Sequence, residues 1–372
     1  MTTLEKITPK HDPWEAYLDV KEHGKLVLSN VEFTTTYLCN MRCAHCAVGY
    51  TLKTKDPDAL PLEIFLRRLD EIPTLRSLSI TGGEPMLSKK SIQNYVKPIL
   101  KYAHERGIYT QLNSNLTQDL DRYLEIAPYL DVLHISHNWG TLDEFVETGF
   151  AMMDKKPTYE QRAKLFERMI TNSRELSERG VMVSAETMLN KKTIPYIEHI
   201  HHQVVHEMKC ARHEIHPMYP VDFASSLTSL SLDEIRNAIH HLLDIRDENT
   251  WMLFGTLPFY ACSTKEEDLE LIRRLRETKN VTLRNDPDGR SRLNVNIFTG
   301  DVIVTDFGDD DAPLGNVQHD SLQKVYERWL ETDLAKSLNC HCPQVQCLGP
   351  NVLVKNTYYP NEKFESNSVK NV

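Results

Sequence analysis

The sequence lacks a surplus of positive charge and any long apolar run. Lysine and arginine total 43 against 53 aspartate and glutamate residues, which gives a formal net charge of −10. Nucleic acid is therefore not an expected partner, because a protein that binds a phosphate backbone usually carries a basic excess. No apolar stretch approaches the ~20 residues that cross a bilayer, so we expect no membrane span.

The amino-terminal residues also lack the apolar segment of a secretory signal, so we expect a cytoplasmic protein. Disulfides are uncommon in that reducing compartment, and the eight cysteines are better interpreted as metal ligands or reactive thiols. Hydrophobic residues make up 40% of the chain and charged residues 26%, as in ordinary globular proteins. This composition excludes a disordered or fibrous chain.

Short β-rich segments alternate with longer segments of helical periodicity from residue 31 to about residue 216. The pattern predicts five intervening helices and six strands, at 31–37, 77–81, 109–112, 132–136, 181–188 and 212–216. Strict alternation of strand and helix indicates right-handed crossovers and a parallel sheet. Such a sheet can be a partial barrel or an open doubly wound sheet, and both place binding sites at the carboxyl ends of the strands.

The pattern changes after Pro220. Amphipathic helices are predicted at 231–246 and 266–278, and a later β-hairpin turns at Thr299-Gly300-Asp301. The predicted segments are an amino-terminal extension (1–29), a β/α core (30–220), a helical connection (221–290), a hairpin and cysteine domain (291–360) and a tail (361–372).

Three cysteines follow the first predicted strand as a CxxxCxxC motif: Cys39, Cys43 and Cys46. Zinc commonly takes four ligands, often from CxxC pairs. Three thiolates can instead hold three irons of a cubane iron–sulfur cluster and leave the fourth iron open. The uneven spacing favours the cluster, with zinc as the alternative.

A second motif, Gly82-Gly83-Glu84-Pro85, follows the second predicted strand. Glycines allow the backbone to approach a ligand closely. Exposed backbone groups together with Glu84 can hold an amino group. A Gly-Gly-Glu sequence alone is weak evidence, but here it shares the carboxyl edge of the predicted sheet with the cysteine motif.

The two motifs in these positions resemble the radical S-adenosylmethionine (SAM) superfamily over about residues 31–220. The resemblance implies an α/β fold, a partial (βα)6 barrel with a small C-terminal metal-cluster domain. It also implies that Cys39, Cys43 and Cys46 bind a catalytic 4Fe-4S cluster whose open iron takes the amino and carboxylate groups of SAM. One mild departure is His45, which stands where the superfamily usually has an aromatic residue.

The same resemblance implies which side chains and backbone groups contact SAM. Gly82, Gly83 and Glu84 would hold its amino group. Asn113, Asn115 and Ser136, at the ends of the third and fourth predicted strands, would contact its ribose or carboxylate. Glu186, in the fifth predicted strand, is either a contact to SAM or substrate or an outward-facing carboxylate.

A second group of cysteines forms a CxCxxxxC motif: Cys340, Cys342 and Cys347. This region resembles the SPASM/twitch extension of peptide-modifying radical SAM enzymes, and the whole chain is most similar to the radical SAM/CxCxxxxC motif protein family YfkAB. The resemblance implies a second 4Fe-4S cluster with Cys262 as fourth ligand. The alternative is zinc held with Cys262 or His341.

These expectations describe a radical SAM enzyme that cleaves SAM reductively to a 5′-deoxyadenosyl radical and abstracts hydrogen from a substrate. The C-terminal extension favours a peptide or protein side chain, and a small molecule is the alternative. The expected redox partner is a small electron donor of the flavodoxin or ferredoxin type. A non-catalytic iron–sulfur or zinc protein remains the alternative from another functional class.

Overall fold

The computed structural model describes residues 4–305 and 312–364; the end of the predicted tail lies outside these residues. One sheet contains all eleven strands of the described residues. The strands are β1 (Asn30–Thr34), β2 (Ser77–Thr81), β3 (Tyr109–Ser114), β4 (Val132–Ser136), β5 (Val183–Leu189), β6 (Arg212–Pro217), β7 (Trp251–Gly255), β8 (Val281–Arg284), β9 (Arg292–Asn296), β10 (Asp301–Ile303) and β11 (Gly315–Asn316).

The helices lie between and after these strands. They are α1 (Tyr17–His23), α2 (Leu62–Asp70), α3 (Lys89–Ser91), α4 (Lys97–Glu105), α5 (Leu120–Ile126), α6 (Leu142–Thr148), α7 (Tyr159–Glu178), α8 (Ile197–His202), α9 (Leu232–Ile245), α10 (Glu266–Glu277), α11 (Leu322–Leu330), α12 (Asp333–Ser337) and α13 (Val352–Tyr358). A π-helical stretch, Ile92–Val96, joins α3 to α4. None of the described helices is long and apolar enough to cross a membrane.

The sheet order is β11-β10-β9-β1-β2-β3-β4-β5-β6-β7-β8. All neighbouring strands from β9 to β8 in this order pair in parallel, whereas β10 pairs antiparallel with both β9 and β11. The α/β class and the six predicted strands are therefore confirmed, as β1 to β6. Their carboxyl ends meet at one edge of the sheet, which is where both cysteine and glycine motifs were expected to lie.

The segment 221–290 corrects the expectation of a helical connection. It contains the two predicted helices, α9 and α10, but also β7 and β8, which continue the parallel sheet beyond β6. All five residues of β7 are buried, so the strand has no alternating polar face to reveal it. Strand β8 has only four residues and carries no periodic signal.

The predicted hairpin forms, as β9 and β10, but it does not stand apart from the barrel. Strand β9 pairs in parallel with β1, in register from Asn30 opposite Arg292 to Thr34 opposite Asn296. Helix α11 follows and buries Leu322 and Trp329 in the same hydrophobic cluster as Phe33 of β1. The C-terminal extension therefore shares its core with the barrel.

The amino-terminal extension packs across the amino ends of the strands. Trp14 is 1% exposed and donates from its indole Nε1 to Ser79 Oγ at 3.0 Å. Arg76, just before β2, donates from Nε to the Pro13 carbonyl at 2.9 Å. The extension therefore covers the end of the barrel opposite the candidate site.

Candidate active site

One cavity of about 310 Å³ opens at the carboxyl edge of the barrel. Its lining includes most residues that the sequence singled out: Cys39, Cys43, Cys46, Gly82, Gly83, Asn113, Asn115, Ser136 and Glu186. These residues come from the ends of five strands, and parallel pairing brings them together. The structure therefore joins the cysteine loop, the glycine loop and the strand-end polar residues in one site.

The cysteine loop is anchored to the end of α6. The Arg42 amide donates to the Gly149 carbonyl at 3.1 Å, and the Ala44 amide donates to the Thr148 carbonyl at 2.9 Å. The Met41 amide donates to Cys39 Sγ at 3.4 Å. These contacts fix the loop backbone while its three thiols face the cavity.

The electrostatics of the three thiols depend on burial. Burial raises the pKa of Cys39 to about 12, and it also raises the pKa values of Cys43 and Cys46. The neighbouring thiols raise the pKa of Cys43 further, so the three groups lie close enough to interact. Such thiols stay neutral alone, and bound metal cations would hold them as thiolates.

The donor set fits a polynuclear cluster better than one zinc ion. Within residues 4–305 and 312–364, no three histidine, cysteine, aspartate or glutamate side chains converge to hold a single metal ion. A cubane binds each thiolate to a different iron and so needs no such convergence. Soft thiolates without carboxylate partners are also the donors that iron–sulfur clusters take.

The two glycines let the loop after β2 pack against the loop after β1. A Cβ on Gly82 would lie 2.4 Å from the Thr36 carbonyl oxygen, and one on Gly83 would lie 2.2 Å from the Leu38 carbonyl oxygen. Gly82 also has a φ of +141°, which L side chains rarely adopt. The glycine loop is therefore locked to the chain that leads into the cysteine loop.

Glu84 lies outside the cavity lining, unlike the position expected for a side chain that touches SAM. It is fully buried, and its carboxylate accepts hydrogen bonds from Ser114 Oγ at 2.9 Å, the Asn115 amide at 2.7 Å and the Met86 amide at 3.0 Å. Burial raises the pKa of this carboxyl group to about 7. In this structure Glu84 holds the end of β3 in place.

The remaining predicted polar residues occupy different levels of the cavity. Asn115 lies at the cysteines: its Nδ2 donates to Asn40 Oδ1 at 2.9 Å and is 3.9 Å from Cys39 Sγ. Asn113 lies deeper, where its Nδ2 donates to Glu32 Oε2 at 3.3 Å. Ser136 and Glu186 are paired in register on β4 and β5.

The charged floor of the cavity was not found by sequence reasoning. Its members come from strands or strand ends spread over the chain: Glu32, Glu214, Arg284, Asp286, Asp288 and Arg292. Each is a charged residue within or beside a strand, but the six are scattered along the sequence. No local spacing connects them, because only the folded sheet brings β1, β6 and β8 together around one cavity.

The C-terminal cysteines form a second, separate group near α1. Cys342 and Cys347 pair through their backbones, with the Cys342 amide donating to the Cys347 carbonyl at 2.8 Å. Buried Arg290 donates to the carbonyls of Leu338, Leu348 and Pro350 and so holds both ends of this loop.

All four C-terminal thiols interact electrostatically. Burial raises the pKa of Cys340 to about 12, and the thiols of Cys342, Cys347 and Cys262 raise it further. His341 Nε2 is instead 3.0 Å from the Tyr17 hydroxyl. Cys210, in contrast, is a core residue beside Ser173.

Three thiols beside a Gly-Gly loop at the carboxyl edge of a parallel barrel define a radical SAM enzyme. The model of the radical SAM superfamily matches residues 33–194, and that of the YfkB-like domain matches residues 218–369. The chain is 71% identical to protein YfkA of Bacillus subtilis (strain 168) over 363 residues, covering 98% of this chain and 97% of that protein. The chain belongs to the YfkAB family of the radical SAM superfamily, and this membership implies SAM and a 4Fe-4S cluster as cofactors.

Solved structures share the fold at low sequence identity. SuiB of Streptococcus suis bound to S-adenosylmethionine is 18% identical with a TM-score of 0.60, covering 95% of this chain and 80% of that chain. The enzyme anSMEcpe with bound AdoMet and Cp18Cys peptide is 14% identical with a TM-score of 0.54, covering 91% and 92%. These likenesses confirm the architecture of the barrel.

Proposed function

We propose that Cys39, Cys43 and Cys46 hold the catalytic 4Fe-4S cluster and that the enzyme abstracts hydrogen from a peptide or protein side chain. The observation that carries the proposal is the shared cavity of these thiols and the Gly82-Gly83 loop. When bound, the reduced cluster and SAM supply a 5′-deoxyadenosyl radical and methionine. The protein binds these groups, orients them and excludes water from the site.

The glycine loop and the end of β3 provide the proposed SAM contacts. Backbone groups at Gly82 and Gly83 face the cavity and would accept the amino group of SAM. The side chains of Asn115 and Ser136 would contact its carboxylate or ribose, as would Asn113 from its deeper position. Glu84 would act through Asn115, whose amide it accepts, rather than by direct contact.

A peptide substrate is supported by the fold shared with enzymes solved with peptides. SuiB has been solved with its precursor peptide SuiA, and anSMEcpe with the Cp18Cys peptide. A small-molecule substrate is the second candidate, because the described part of the amino-terminal extension packs on the barrel and leaves no separate peptide-recognition fold there. The cluster would receive its electron from a flavodoxin- or ferredoxin-type donor.

We further propose a second 4Fe-4S cluster at Cys262, Cys340, Cys342 and Cys347. The thiols of Cys342, Cys347 and Cys262 are near enough to raise the pKa of Cys340, and those of Cys342 and Cys262 raise the pKa of Cys347. The contact of His341 Nε2 with the Tyr17 hydroxyl favours Cys262 over His341 as the fourth ligand. The zinc alternative would need a tighter convergence than the described side chains have.

Two sets of variants test these assignments separately. Replacing Cys39, Cys43 and Cys46 by Ala should abolish 5′-deoxyadenosine formation with dithionite while the C-terminal iron stays. Cys340→Ala should remove about half of the iron and leave SAM cleavage in place. The measurements are iron and zinc per chain, and 5′-deoxyadenosine by chromatography.

Cys210→Ala is the matched control, because this buried thiol belongs to the core. It should keep both the iron content and SAM cleavage. Retained SAM cleavage in the triple variant would overturn the catalytic assignment. Loss of zinc instead of iron in Cys340→Ala would overturn the second cluster alone.

A further inference from the structure

Below the three catalytic cysteines, the cavity continues into the barrel and becomes strongly charged. Acidic side chains outnumber guanidinium groups in its lining: the carboxylates are Glu32, Glu186, Glu214, Asp286 and Asp288, and the guanidinium groups are Arg284 and Arg292. Two histidines, His134 and His216, face the same space. Because buried charges are normally paired, the pairing of each group decides what this space can accept.

Both guanidinium groups are already paired with carboxylates. Arg284 contacts Glu214 and is 3.5 Å from Asp12 Oδ2, which lies on the amino-terminal extension. Arg292 Nη1 is 3.1 Å from Asp288 Oδ1 and 3.8 Å from Glu32 Oε2. Neither arginine is therefore available to a negatively charged ligand.

Two carboxylates in the lining, those of Asp286 and Glu186, form no ion pair with either arginine, although the charge of Asp286 raises the pKa of both Arg284 and Arg292. Among the described residues Asp286 forms no ion pair, and its Oδ1 accepts only the Asp288 amide at 2.9 Å. Among the described residues, His216 is the one group near Glu186 that can carry a positive charge. Its Nε2 is 3.9 Å from Glu186 Oε1. That nitrogen is closer to Glu214 Oε1, at 2.9 Å.

The same space holds buried acceptor atoms without a hydrogen bond in the described residues. They are Asp288 Oδ1 and Glu214 Oε2, on side chains that are 7% and 1% exposed. Both are ion-paired all the same, since Asp288 Oδ1 lies 3.1 Å from Arg292 Nη1 and Glu214 Oε2 lies 3.1 Å from Arg212 Nη2. A chain of contacts links this group to the open carboxylates, since Thr256 Oγ1 lies 3.3 Å from Asp286 Oδ2 and also contacts His216 Nδ1. The two carboxylates without an arginine partner, Asp286 and Glu186, therefore border one site, with His216 between them.

We propose that this site binds a cationic group of the substrate, a protonated amine or a guanidinium, between Glu186 and Asp286. The inference rests on the proposed function and names the class of substrate for that cavity. An ammonium or guanidinium group carries three to five N–H donors and no acceptor, which suits a wall of open carboxylates. A metal ion is a poorer occupant, because the described carboxylates and histidines do not converge on one point.

The test uses SAM-loaded, reconstituted holoenzyme and four capped amino acids as probes. N-acetyl-lysine methylamide and N-acetyl-arginine methylamide carry the cation, N-acetyl-norleucine methylamide is the neutral isostere of lysine, and N-acetyl-glutamate methylamide is the anion. At least one cation should bind roughly tenfold or more tightly than norleucine by calorimetry, because a half-buried charge pair forms. The anion should not bind.

Glu186→Gln and Asp286→Asn should each reduce this preference, and together they should abolish it. Glu178→Gln, at the exposed end of α7 on the far side of the barrel, should leave it unchanged. Equal binding of lysine and norleucine, preference for glutamate, or no binding of either cation would overturn the proposal. Failure of SAM to bind or to be cleaved would instead count against the proposed function, so the two failures are distinguishable.

Discussion

The carboxylate of Glu84 lies where the loops after β1, β2 and β3 meet. It accepts hydrogen bonds from Ser114 Oγ and from the amides of Met86 and Asn115, while its own amide donates to the Leu38 carbonyl. Asn115 in turn contacts Asn40 and lies beside Cys39. One buried carboxyl group thus connects the glycine loop, the end of β3 and the cysteine loop.

We predict that Glu84→Gln weakens SAM binding and lowers the free energy of unfolding in a pH-dependent way. Burial raises the folded pKa of Glu84 to about 7, above the unfolded value of 4.5. Its contribution to stability is therefore fully present below about pH 4.5 and is lost as the pH rises through about 7. The amide does not titrate, so the variant should lose about 1–3 kcal/mol at pH 5 and less at pH 8.

Denaturant unfolding of the metal-free protein at pH 5, 6.5 and 8 checks this prediction, with SAM affinity measured on the holoenzyme. Glu178→Gln serves as the exposed control and should show no pH-dependent difference from wild type. A Glu84→Gln deficit that grows from pH 5 to pH 8 would contradict the account of this residue.

Among individual residues, the sequence predicts the cysteine site well and the charged floor of the cavity poorly. Cys39, Cys43 and Cys46 lie within one loop, so their spacing alone reports a shared site. Arg284 and Glu214 meet only because β6, β7 and β8 are neighbours, and no sequence spacing records this. The burial of Glu84 was also not predictable, because its donors in Ser114 and Asn115 lie about 30 residues further along the chain.

The loop after the third cysteine is held by contacts to the segment that follows β6, and we call these contacts the Tyr50–Asp222 latch. Both carboxylate oxygens of Asp222 accept from the Tyr50 amide, at 3.1 and 3.0 Å. The rings of Tyr50 and Phe223 pack edge to face with centroids 4.8 Å apart. Asp222 has a φ of +51°, a conformation that Asp and Asn tolerate better than most residues.

We predict that Asp222→Ala opens this latch. The variant loses both acceptors and keeps the left-handed backbone, so the Tyr50 amide should exchange with deuterium roughly tenfold faster. Asp222→Asn, which keeps one acceptor and tolerates the same φ, should show a smaller change. Hydrogen exchange of the 47–53 peptide measures both, and unchanged exchange in Asp222→Ala would show that the latch does not restrain the loop.

Strands and helices are predicted correctly where a segment has a clear hydrophobic periodicity or a clear end. They are missed where complete burial removes the alternation of polar and apolar residues. Strands β2 and β4 match the expected ranges, 77–81 and 132–136. Strand β7 is buried on all sides and β8 is short, so neither produced a signal. The partner of β9 could not be predicted either, because β1 lies some 260 residues earlier.

In the molecule as a whole, the amino-terminal extension closes the barrel end opposite the candidate site. Trp14 packs in a small cluster with Tyr109 and Val132, at the starts of β3 and β4. Asp12, in the same extension, pairs with Arg284 and lies 3.9 Å from Arg212 Nη1. The first residues of the chain therefore help to hold the charged floor of the cavity.

We predict that Trp14→Ala lowers the free energy of unfolding by about 3–5 kcal/mol, because it leaves a large cavity in a buried cluster. Trp14→Phe, which retains most of the packing but loses the hydrogen bond to Ser79, should cost about 1–2 kcal/mol. Denaturant unfolding of the metal-free protein measures both. A Trp14→Ala variant as stable as wild type would show that the extension is peripheral.

For the molecule as a whole, the sequence identifies the superfamily but not how the C-terminal extension packs against the barrel. The expected C-terminal extension is present, yet its hairpin joins the barrel sheet and Trp329 joins the barrel core. Such long-range pairing depends on the complete sheet, whereas the motifs that reveal the superfamily are local.

The most direct test is the iron, sulfide and zinc content per chain after anaerobic reconstitution, followed by 5′-deoxyadenosine formation with SAM and dithionite. We expect about eight irons, matching sulfide, no zinc, and 5′-deoxyadenosine. About four irons with zinc would contradict the second cluster but keep the enzyme. Zinc alone, with no 5′-deoxyadenosine, would contradict the central claim that this chain cleaves SAM at a cluster held by Cys39, Cys43 and Cys46.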